Sequence, residues 1–61
     1  MKGKIKSYSP LHGYGFIVSN GTDYMFSVRD LKASAEDIGS EVEFTPIQTV
    51  KGLRARNIRK E

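Results

Sequence analysis

A chain of 61 residues without cysteine has room for one small domain with a single modest core, and no disulfide or thiolate-metal site reinforces it. No apolar run approaches membrane-spanning length, and residues 1–6 have no apolar stretch behind them of the kind a secretory signal carries. These features point to a domain of marginal stability in a reducing, cytoplasmic setting. The net charge of +3 hides a pattern: Lys2, Lys4, Lys6, Arg29 and Lys32 lie early, residues 33–50 carry only acids, and Lys51, Arg54, Arg56, Arg59 and Lys60 crowd the end. Two basic ends around an acidic middle suit a polyanion if the ends meet in the fold, and equally suit a solvated surface if they do not.

In chain order, the alternation in Lys4-Ile5-Lys6 predicts a first strand over residues 2–8. Ser9-Pro10-Leu11-His12 is a connecting loop, because Pro10 cannot sit in a central strand. A second strand covers residues 14–18. Asn20-Gly21 predicts a type I′ hairpin turn, since both residues tolerate positive φ. The third strand, residues 24–28, then pairs antiparallel to the second, and residues 28–31 close as one helical turn. Residues 33–37 read as loop or a short helix. Glu41-Val42-Glu43-Phe44 alternates as a fourth strand with Val42 and Phe44 inward, and Pro46 places it at an edge or a bulge. Residues 49–52 turn the chain into a fifth strand over residues 53–58, where Arg54 and Arg56 share a face. Ala55 and Ile58 cannot both be buried under strict alternation, so a bulge or strand end is expected near Asn57. Five short strands with tight turns and no long helix predict a small all-β barrel, antiparallel in its pairings, filling residues 1–61 as one domain.

Gly13-Tyr14-Gly15-Phe16-Ile17 is the run that carries chemistry. Strand geometry puts Tyr14 and Phe16 on one face and Gly15 and Ile17 on the other. With Ile17 inward, two aromatic rings stand on an open sheet with no bulky neighbours between them, as base stacking requires. The opposite register turns both rings into the core and makes the glycines markers of a bulge. Hairpin pairing with Ile17 inward sets Met25 and Ser27 beside Phe16 and Tyr14, while Tyr24, Phe26 and Val28 face inward. Lys6, Tyr8 and the basic residues around Lys51 then border the same patch. Rings for bases and Lys or Arg for phosphates together form a single-strand-binding surface.

Taken together, the segments resemble the bacterial cold-shock protein family over nearly the whole chain. Gly3-Lys4-Ile5-Lys6-Ser7-Tyr8 is similar to that family's first strand, and His12-Gly13-Tyr14-Gly15-Phe16-Ile17 to its first ribonucleoprotein motif. The run from Asp23 to Leu31 matches the second motif in spacing. Gly39-Ser40-Glu41-Val42-Glu43-Phe44 and the run from Lys51 to Ile58 resemble the closing segments. RNA-recognition motifs share the glycine-aromatic hexamer but reverse the motif order and add two helices. The resemblance implies a five-stranded OB-type barrel that binds single-stranded RNA or DNA, RNA before DNA, as an RNA chaperone. Its matched binding positions are Lys6, Tyr8, Tyr14, Phe16 and Lys51.

Departures from the family accompany these matches. Ser7 replaces a tryptophan, Met25 a phenylalanine, Ser27 a histidine and Val28 often a phenylalanine; His12 stands where a lysine is usual. Three stacking rings are thus expected, Tyr8, Tyr14 and Phe16, with Lys4, Lys6, Lys51, Arg54 and Arg56 as phosphate contacts. His12, Met25 and Ser27 remain at binding positions with altered chemistry. Few stacking rings imply weak binding. The only histidine is expected in a solvent-facing loop, and Ser7, Ser9 and Ser27 lack a histidine–acid relay. No enzyme, metal, cofactor or membrane association is therefore expected, and the domain is expected to be monomeric. The alternative is a barrel reused as a protein-interaction module through the smoother Ser7–Met25–Ser27–Val28 surface, where methionine suits adaptable contacts.

Overall fold

A computed structural model describes residues 1–31 and 35–61. Five strands form: β1 (Lys2–Ser9), β2 (Tyr14–Ser19), β3 (Thr22–Ser27), β4 (Glu41–Thr49) and β5 (Gly52–Lys60), with one 3₁₀ turn at Ala35–Asp37. They close into a barrel in the order β1-β2-β3-β5-β4. All pairings are antiparallel except β3 with β5, which run parallel and meet at Met25 and Arg54. The architecture is the all-β five-stranded barrel expected, of a kind consistent with an OB-type fold.

Period-two patterning builds the core. Ile5, Ile17, Tyr24, Phe26, Val42, Phe44, Ala55 and Ile58 are buried, so every strand contributes to one cluster. The Tyr24 and Phe44 rings pack with centroids 5.1 Å apart. Ser19, buried among these apolar groups, is satisfied by donating its hydroxyl to the Lys2 carbonyl at 2.6 Å. The β2–β3 turn has the predicted geometry, with φ of 52° at Asn20 and 79° at Gly21. Pairing from Tyr14 with Ser27 to Ser19 with Thr22 follows from it.

Two bulges bend the sheet. On β5, Asn57 adopts φ 53°, and Asn57 and Ile58 together oppose Phe44, so Ala55 and Ile58 both reach the core as anticipated. On β1 the register shifts between Ile5 and Ser7, which leaves Lys6 as the extra residue. This second bulge reverses the parity that simple alternation assigns to Ser7 and Tyr8.

Several boundaries differ from the sequence reading. β4 continues through Pro46 to Thr49. β1 pairs with β4 only along Glu41, Val42 and Glu43, so the proline lies where one side of β4 is an open edge and its missing N–H breaks no ladder there. β3 stops at Ser27, which leaves Val28 exposed instead of inward. The turn over residues 28–31 does form, with the Asp30 and Leu31 amides donating to the Ser27 carbonyl. Of the loop or short helix expected over 33–37, the described part is a single 3₁₀ turn, Ala35–Asp37; residues 33 and 34, and Lys32, lie outside the described residues.

Gly15 has a packing reason. A Cβ there would lie 2.5 Å from the Ser7 carbonyl oxygen and 2.8 Å from the Phe26 ring. Backbone cannot yield as a flexible side chain can. Gly15→Ala is expected to destabilise the domain by about 1–3 kcal/mol, read from urea unfolding.

Candidate nucleic-acid interface

The outer face of β2 is set by its inner one. Ile17 is fully enclosed, so Tyr14 and Phe16 face outward, and the cross-strand pairs carry the same parity to the neighbouring strands. One row runs across all five strands: Ser7, Phe16, Met25, Arg54 and Ile47. The next row holds Ser9, Tyr14 and Ser27, and a third holds Lys4, Val18 and Asp23. Met25 and Ser27 thus stand where the hairpin register put them.

Three rings lie along this face and the loop that leads into β2, but they are not the three expected. The Tyr14 and Phe16 centroids are 5.9 Å apart and nearly perpendicular, and the His12 ring lies 6.0 Å from Tyr14 on its other side. His12 is positioned by the tight loop after β1. Its amide and that of Gly13 both donate to the Ser9 carbonyl, and its Nδ1 shares a 2.7 Å hydrogen bond with the Ser9 hydroxyl. Gly13 at φ 76° supplies the left-handed residue this loop needs.

Tyr8 requires the opposite correction. The bulge at Lys6 pairs Tyr8 with inward Gly15, and its ring is half-buried, stacked on Phe26 at 6.0 Å and 7°. It caps the core and does not join the outer row of rings.

The cations divide as well. Lys6 Nζ lies 2.9 Å from the Asp23 carboxylate, and Arg56 Nε lies 3.2 Å from Asp30. Both were expected on phosphates; both are already engaged by acids. Lys4, Arg29, Lys51 and Arg54 make no ion pair among the described residues. Lys51 sits at the β4–β5 turn, its amide donating to the Thr49 hydroxyl. The Ser27 hydroxyl is also occupied, donating to Asp30 and accepting from the Arg29 amide.

No family model and no curated protein matches the chain. Among the described residues no group of three or more histidine or acidic side chains could hold a metal ion. An open depression of about 460 Å³ lies at the β5 bulge, lined by Asp30, Glu43, Thr45, Asn57 and Arg59 among others, and none of the three outer rings borders it.

Proposed function

We propose that this chain is a non-catalytic single-stranded nucleic-acid-binding domain of cold-shock type, taking RNA before DNA and acting as a weak RNA chaperone. The observation that supports this most is the run of three rings, Tyr14 and Phe16 on the outer face of β2 with His12 beside Tyr14 in the loop leading into it. Aromatic faces at strand spacing accept unpaired bases of any sequence, and unengaged cations around them accept the backbone. Holding bases on rings keeps a strand from pairing, which is the physical content of chaperoning.

The engaged state of Lys6 and Arg56, together with the apolar Met25 and Ile47, favours a second reading, a surface for a protein partner. Salt separates the two. With Lys4, Arg29 and Lys51 unengaged, two or three phosphate contacts should give log K a slope of about −1.4 to −2.1 against log salt for a single strand. Titration of a labelled heptamer between low and physiological salt reads this slope, with a duplex of the same sequence binding more weakly. A slope near zero, or equal binding of duplex and single strand, would contradict the proposal.

A further inference from the structure

Three arginines lie on β5, and two of them hold acids: Arg59 meets Glu43 at 3.7 Å and Arg56 meets Asp30 at 3.2 Å. Arg54 differs. It meets no acid among the described residues, and its Nε is closed off from water with no hydrogen-bond partner. A buried N–H without an acceptor destabilises the state that contains it. The side chain as a whole is only half-buried, so a small rotation brings its guanidinium to an acceptor arriving from outside.

The position of Arg54 indicates what that acceptor is. Arg54 stands in the row of Phe16 and Met25, two strand spacings or about 10 Å from Phe16 along the sheet. A base lying on the Phe16 ring and reaching over Met25 brings its edge to the guanidinium. Phe16, Met25 and Ile47 make this apolar ground, suited to bases, whereas Lys4 and Lys51 stand in other rows or at the turn, where a backbone would pass. The planar fork of arginine matches two adjacent acceptors, and among the bases guanine offers such a pair in O6 and N7. We infer that Arg54 determines specificity by taking the O6/N7 edge of a guanine stacked on the Phe16–Met25 row, so that the domain prefers single strands with a guanine at that place. This inference rests on the nucleic-acid reading above.

The test uses fluorescence anisotropy with three labelled heptamers: all thymidine, one central guanine, and one central 7-deazaguanine, which lacks the N7 acceptor. The unmodified chain should bind the guanine heptamer about tenfold more tightly than the thymidine one. The 7-deazaguanine strand should fall back towards the thymidine level. Arg54→Met should erase the preference, weakening guanine binding far more than thymidine binding, and melt at a higher temperature than the unmodified chain, because the orphan donor is gone. Arg54→Lys keeps the charge without the fork; it should erase the preference too, and it carries the test if the methionine variant folds poorly. Equal affinity of the unmodified chain for guanine and thymidine strands overturns this inference alone. So does an Arg54→Met variant that weakens all three heptamers equally and flattens the salt slope, since Arg54 is then a phosphate contact. Failure of the unmodified chain to bind any heptamer overturns the nucleic-acid reading itself.

Discussion

Ile17→Ala is expected to unfold much of the domain at physiological temperature, whereas Phe16→Ala, one residue earlier on β2, is expected to leave it folded. Ile17 is fully buried at the centre of the barrel, with its side chain against Gly3. Truncating such a residue costs about 2–5 kcal/mol through lost burial and the cavity left behind. A domain of this length holds only about 3–9 kcal/mol in total. Phe16 faces outward and is half-buried, so its loss removes mainly the edge contact with Tyr14. Thermal and urea unfolding followed by circular dichroism separate the two. The reverse order of stabilities would mean that β2 is slipped by one residue, which exchanges its faces.

Ser7→Trp combined with Met25→Phe is expected to tighten single-strand binding at least about tenfold, a change of about 1.4 kcal/mol. Both residues stand directly opposite Phe16 on the flanking strands, so two new rings would extend the aromatic row from β1 to β3. Each stacked base is worth about 1–3 kcal/mol, which leaves room for imperfect geometry. Ser27 is best left alone, although the cold-shock resemblance sets a histidine there. Its hydroxyl accepts from the Arg29 amide and donates to Asp30, so replacing it would loosen the turn that follows β3. A double variant that folds normally and binds no better would contradict the stacking account, and isothermal titration against a thymidine heptamer decides it.

Much of the fold was legible because local signals and barrel geometry agree. Alternation around Ile17, with Asn20-Gly21 closing the hairpin, fixes which side chains of β2 and β3 share a face, and Met25 and Ser27 follow from it. The conflict between Ala55 and Ile58 announces the bulge at Asn57. The bulge at Lys6 has no such announcement. Lys4-Ile5-Lys6-Ser7-Tyr8 reads as an uninterrupted strand, and the extra residue appears only when β1 must follow β2 around a closed barrel. That single residue moves Tyr8 from the expected row of rings to the edge of the core. Pro46 was read correctly as an edge signal, since β4 has no β1 partner at the proline and the missing N–H breaks no ladder there.

The candidate site was legible in its centre and not at its margins. Tyr14 and Phe16 are local facts of strand parity. The ion pairs of Lys6 with Asp23 and Arg56 with Asp30 join residues distant in the chain, so no local pattern foretells which cations are engaged. His12 was legible as an exposed loop residue at a binding position, and what the sequence did not show is that its ring lies beside Tyr14.

The most direct test of the central claim is the affinity of the unmodified chain and of folded Phe16→Ala for a labelled single-stranded heptamer, measured side by side at about 0.15 M salt. The account predicts binding in the micromolar range or weaker for the unmodified chain and a loss of about 1–3 kcal/mol on removing the ring, with the variant still unfolding cooperatively. Equal binding by the two folded proteins, or none by the unmodified chain, would contradict it.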